Sequence, residues 1–106
     1  MKLKILNDIY EIFYGENAEN KNIYGEINYG LQIININDRL TDKQKINTLL
    51  HELFHLYLYK TGLYELLSKN IREALCQVFS FAVIDIIYNN QEFLAKIRNV
   101  MSKDIK

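Results

Sequence analysis

Residues 47–62 read NTLLHELFHLYLYKTG, and the signals on either side of this stretch place it within one long helix. Thr41 followed three residues later by Gln44 forms a capping-box pattern, which opens a helix by satisfying free backbone donors from both side chains. Gly62 is placed to end it, because glycine takes the left-handed conformation that closes a helix at no steric cost. The sequence therefore predicts a helix over about residues 42–60. Both histidines of the chain, His51 and His55, fall in its middle turns, with Glu52 immediately after the first.

Residues four apart in a helix share one face, so His51 and His55 point the same way, close enough to bind one ion. At roughly 100° per residue, Ile46, Leu49, Leu53, Leu56 and Tyr57 gather on the opposite side, and the core has a face of its own. Histidines on a helix are often merely solvated or hydrogen-bonded. Here Phe54 and Leu58 flank them, so that side is not a plain water-facing surface, and buried ring nitrogens need partners. One metal ion would partner both. Zinc accepts imidazole nitrogen and, in catalytic sites, takes three protein ligands and leaves a fourth position for water. Glu52, about 100° round from His51, stands too far round to be a ligand but within reach of that water, where it would act as the catalytic general base. HExxH on a helix is among the more specific short motifs, and the expected cofactor is Zn2+, one per chain.

The third ligand must come from elsewhere, because no histidine remains. Glu65, Glu73, Asp85 and Glu92 are the acidic candidates downstream. Glu65 follows the turn at Gly62 too closely to fold back, and Asp85 and Glu92 sit at or beyond the far end of a second helix predicted over about residues 71–88. Glu73, in the first turn of that helix, would reach His55 if the helix returned antiparallel. Its competing structural role is a capping box with Asn70. On the same wheel Gln77 and Ser80 share the face of Glu73, a polar stripe suited to lining a cleft, with Leu75, Phe79, Ala82 and Ile86 opposite. Cys76 is a tempting thiolate ligand, but a lone cysteine on an apolar helix reads as a small buried hydrophobe. Tyr59, four after His55, and Tyr64, in the adjoining loop, are candidate donors to a developing oxyanion, with packing as the plainer role for each.

The first third has a different period. Residues 2–6 and 9–14 read as a hairpin around Asn7 and Asp8, 15–22 as a polar surface loop, and 23–28 and 31–36 as strands joined by a turn at Tyr29 and Gly30. The last of these strands is a candidate edge for adding an extended peptide. Asn89 with Glu92 is expected to cap a third, amphipathic helix with Phe93, Leu94, Ile97 and Met101 on one face. The expected class is α+β: a small antiparallel sheet, then about three helices, in one domain spanning 1–106.

Composition narrows the function. The net charge is zero with the charges scattered, which speaks against nucleic acid as a partner. The most apolar segment, ALCQVFSFAVIDII, is interrupted by Gln77, Ser80 and Asp85 and is too short to span a bilayer; the N-terminus lacks the unbroken apolar run of an export signal. With Cys76 as the only cysteine there is no internal disulfide, and a cytoplasmic location is expected.

The stretch YGEINYGLQIININDRLTDKQKINTLLHELFHLYLYKTGL, followed by REALCQVFSFAVIDIIYNN, resembles the short ImmA/IrrE-like metallopeptidase domain of phages and mobile elements, from about Tyr24 to Asn90. The resemblance implies a minimal gluzincin-type zincin fold, in which a strand hairpin leads into the HExxH helix and a later Glu followed by a small residue completes the metal site. Carried over residue by residue, it makes His51, His55 and Glu73 the zinc ligands and Glu52 the base. It further implies a zinc endopeptidase acting on a cytoplasmic protein such as a transcriptional repressor. Phe54 stands where many relatives have a small residue, and its bulk is expected to narrow the cleft. Two other readings stand beside the peptidase: a phage regulatory protein that binds a partner on this scaffold without cutting it, and a structural zinc site, which would ordinarily close with four protein ligands. Neither gives Glu52 a use as a base. The substrate sequence and the oligomeric state are not written in the chain.

Overall fold

The computed structural model describes residues 1–15 and 24–104. It is an α+β arrangement of four strands, β1 (Lys2–Ile5), β2 (Asp8–Gly15), β3 (Gly25–Asn28) and β4 (Ile33–Asn37), followed by three helices, α1 (Asp42–Lys60), α2 (Lys69–Asn89) and α3 (Gln91–Asp104). Alternation along the strands sends Ile5, Tyr10, Ile12, Ile34 and Ile36 to one face of the sheet, where they meet Leu56 of α1, with Leu49 and Leu53 alongside. Burying each such aliphatic side chain contributes roughly 1.5–3 kcal/mol. The sheet thus seats α1 and fixes the direction in which its other face looks.

The sheet is mixed, not antiparallel throughout. Its order is β1-β2-β4-β3, with β2 and β4 parallel and the two outer pairs antiparallel. Ile34 and Ile36 are fully buried, so β4 takes an interior place, and the less covered β3 goes to the margin. Residues 31–36 therefore offer no free edge; among the described residues the outer strands are β1 and β3.

Both turns differ from the sequence expectation. Asp8 pairs with Ile5 in the ladder and its carboxylate accepts from Lys60 of α1, so the first turn is made by Leu6 and Asn7, with Leu6 at φ 55°. Asn28 pairs with Ile33, leaving Tyr29–Gln32 as the connection; the Asn28 side chain accepts from the Leu31 backbone at 2.9 Å and Gln32 takes φ 56°. Of the predicted loop 15–22, Gly15 closes β2 and the remainder lies outside the described residues.

The helix α1 matches its predicted span. Thr41 and Gln44 form the reciprocal capping box, and Gly62, at φ 82°, closes the far end with Leu63 N–H donating to Leu58 and Gly62 N–H to Tyr59, the paired bonds of a Schellman motif. Its core stripe is narrower than predicted: Ile46 and Tyr57 are exposed. The helix α2 begins two residues before its predicted start. Ser68 is the N-cap and accepts from the Ile71 backbone, so the Asn70–Glu73 capping box does not form and Glu73 falls in the second turn. Of its polar stripe only Ser80 is fully buried, as is Cys76 beside the stripe; Gln77 is half-buried and Glu73 exposed, and Phe79 and Ile86 on the opposite side remain partly exposed. Small side chains on the inner face allow α2 to lie close along α1. Asn89 ends α2 and donates to Asp85 instead of capping α3, whose first backbone bond runs from Leu94 to Asn90. On α3, Phe93, Ile97 and Met101 stay exposed.

The backbone of β3 passes tightly over α1 at Gly25, where an added Cβ would sit 2.7 Å from Cγ2 of buried Thr48 and 3.2 Å from Cδ1 of Ile36. Gly25→Ala is expected to cost about 1–3 kcal/mol by overpacking. Thr48→Ser in the same chain removes the nearest clashing atom and should recover part of that loss, as urea unfolding midpoints will show.

Candidate metal centre

His51 and His55 project from the face of α1 turned away from the sheet, and α2 returns alongside to bring Glu73 over them. Nε2 of His51 lies 3.0 Å from Oε2 of Glu73, Nε2 of His55 lies 3.0 Å from Oε1, and the two Nε2 atoms are 3.1 Å apart. Among the described residues these three form the one group of His, Cys, Asp or Glu side chains placed to share an ion, their donor atoms all within 4.8 Å of one another. Glu65, Asp85 and Glu92 stand outside it.

The donor chemistry fits a divalent cation. A neutral imidazole has one N–H, which can serve only one neighbour, so the remaining lone pairs at the centre would face one another without a positive charge between them. An ion about 2.0–2.1 Å from each donor in a tetrahedron spaces them about 3.3 Å apart, close to the separations found. Two imidazoles and one carboxylate also form a recognised catalytic ligand set, with a position left open.

The electrostatics are consistent with this. Burial holds His55 below the usual imidazole range; His51 adds to the effect and the charge of Glu73 opposes it. A neutral imidazole is the form that ligates. Burial acts to raise Glu73, but the imidazoles of His55 and His51 outweigh it and hold the carboxyl below its ordinary value. Burial, assisted by the charges of Glu73 and Glu26, pushes Glu52 up to about 7. A bound cation would pull Glu52 back down.

Around the centre, Phe54 stacks on Phe79 of α2 with ring centroids 4.9 Å apart. It lies about 160° round α1 from Glu52, so its bulk is taken up between the helices instead of over the base. Cys76 is buried, and desolvation with the charges of Glu73 and Glu52 pushes its thiol up to about 12, so it behaves as a packed neutral group. Tyr59 and Tyr64 join Tyr29 in an aromatic cluster one turn beyond His55, with centroids 4.4 Å apart for Tyr29–Tyr59 and 6.5 Å for Tyr29–Tyr64. Burial raises the Tyr29 hydroxyl strongly, with the charges of Tyr64 and Glu52 adding to it.

In the sequence Tyr29 reads only as a turn residue, and no motif marks Arg72. Arg72 stacks over the Tyr64 ring and bonds the connection between α1 and α2. The one signal for it in the sequence is a cation beside the candidate ligand at the start of an otherwise apolar helix.

A sheet seating a helix with HELFH, and a second helix supplying a carboxylate to the same point, define a domain of metallopeptidase type. The chain belongs to the IrrE N-terminal-like domain family, Peptidase_M78, whose model matches residues 13–94. Neither a curated protein nor a solved structure matches it. Among the described residues no helix is long and apolar enough to cross a membrane.

Proposed function

We propose that the chain is a zinc-dependent endopeptidase in which His51, His55 and Glu73 hold one zinc ion and Glu52 is the general base. The observation that carries this reading is the convergence of two imidazole nitrogens and a carboxylate within 3.1 Å of their neighbours, from two separate helices. Bound zinc would polarise the scissile carbonyl and lower the pKa of water at the site to about 7. Glu52 takes the proton from the attacking water and returns it to the leaving amine. Its position one residue after a ligand keeps it beside the reacting atoms, and with zinc bound its half-buried carboxylate would be ionised and able to accept the proton. Tyr59, Tyr64 and Tyr29 are the phenols available to donate to the oxyanion.

The outer edge of β3, which has no paired strand among the described residues and packs against α1, would receive substrate as an added strand, with backbone hydrogen bonds holding the peptide extended across the site. We infer a cytoplasmic protein substrate, such as a repressor, and a phage or mobile-element origin, from the family resemblance. To test the activity, zinc-loaded chain is incubated with a mixed peptide library and new termini are read by mass spectrometry. Cleavage that disappears on chelation and returns with zinc supports the reading. An unchanged library alongside stoichiometric zinc would favour a partner-binding role on the same scaffold.

A further inference from the structure

The two histidines are spaced by one rigid helix, whereas Glu73 reaches them only if the start of α2 is held in place against the end of α1. Glu73 is half-exposed, its side chain 52 % accessible. The connection between the helices contains a single 3₁₀ turn, Tyr64–Leu66, with no buried residue. Within that turn only Tyr64 is half-buried, against Tyr59 and Tyr29, so apolar packing alone gives the start of α2 little hold.

Arg72, the residue before Glu73, supplies what the connection lacks. Its Nη1 donates to the backbone carbonyls of Tyr64 at 3.1 Å and Leu67 at 2.6 Å, and its guanidinium lies 3.9 Å from the centre of the Tyr64 ring. Tyr64 in turn meets Tyr59 edge-on at 6.1 Å, and Tyr59 stacks on Tyr29. Tyr59 is one helical turn after His55. A continuous path of contacts thus runs from the histidine helix, through two tyrosines, to the residue next to the carboxylate.

We propose that Arg72 is the positioning residue for Glu73: by clamping the Tyr64–Leu67 segment it fixes the start of α2 and presents the carboxylate to His51 and His55. This rests on the metal-site reading above. Arg72 touches no reacting atom and acts through Glu73. One NH2 group of the guanidinium serves both carbonyls while its flat face lies over the Tyr64 ring; an ammonium has the donors but not the planar face that holds them in this geometry.

The test is zinc affinity of the full chain by competition with a chromophoric chelator, with cobalt(II) absorption reporting the ligand shell. Arg72→Ala is expected to weaken zinc about 10–100-fold, the usual cost of losing an outer-shell support, and to shift the cobalt spectrum toward that of Glu73→Ala. Arg72→Lys should lose nearly as much despite keeping the charge. In a Glu73→Ala background, Arg72→Ala should change affinity by less than about twofold, because its effect has no remaining route. Undiminished zinc affinity in Arg72→Ala, full recovery by lysine, or an equal loss in the Glu73→Ala background would each overturn the proposal. If Arg72→Ala does not fold, Arg72→Lys and Tyr64→Leu decide it by the same readouts. Wild-type chain that takes up no zinc would sink the metal-site reading itself, a separate outcome.

Discussion

Glu52→Gln is expected to keep one zinc per chain and lower kcat/KM by between about 100-fold and 10,000-fold, the range that a positioned general base supplies. This corresponds to about 3–5.5 kcal/mol of transition-state stabilisation. Glutamine has nearly the same shape and can accept a hydrogen bond, so substrate binding should change little. What it cannot do is carry a proton. The loss should therefore fall on kcat, with KM nearly unchanged. Glu52 is not among the residues whose donors converge on the candidate ion position, which is why metal content and activity should separate in this variant. If Glu52→Gln cleaved substrate at the wild-type rate, Glu52 would not be the base. If it lost cleavage yet kept the full biological effect, binding alone would be the function.

The second large effect concerns metal and stability together. A ligand that binds only the folded state stabilises it by about 4 kcal/mol when free zinc is a thousandfold above its dissociation constant, or roughly 15–30 °C in Tm for a domain of this size. Wild-type chain should show that rise when zinc is added after chelation. His55→Ala should show little of it. His55 is buried, with a relative exposure of 9 %, and its Nε2 faces both His51 and Glu73, so its removal takes away one ligand and opens the centre. Comparing each variant with and without zinc cancels the packing cost of the substitution. An equal rise in both proteins, measured by differential scanning calorimetry, would place the metal elsewhere.

Much of α1 could be read from the sequence because its determinants are local. The Thr41–Gln44 box, the left-handed Gly62 and the four-residue spacing of His51 and His55 all act within a few residues. The sheet order was less legible. Pairing β2 with β4 in parallel depends on where Ile34 and Ile36 can be buried across the fold, and adjacent strands in sequence suggested only hairpins. Helix faces were misjudged where a partner decides them: Ser80 and Gln77 read as a polar stripe, yet Ser80 is buried because its hydroxyl donates back to the Gln77 carbonyl at 2.9 Å, which allows it to pack against a helix. Tyr29 and Arg72 are not legible in the sequence for a related reason. Each matters through a segment distant in sequence, Tyr29 through Tyr59 and Arg72 through the Tyr64 turn, and no local pattern marks either contact.

Anomalous diffraction at the zinc edge, on crystals of the wild-type chain purified with one equivalent of zinc, tests the metal site most directly. We predict a single peak about 2 Å from Nε2 of His51, Nε2 of His55 and the carboxylate of Glu73, with no fourth protein ligand. A peak bound by other residues, or none between these three side chains, would contradict it.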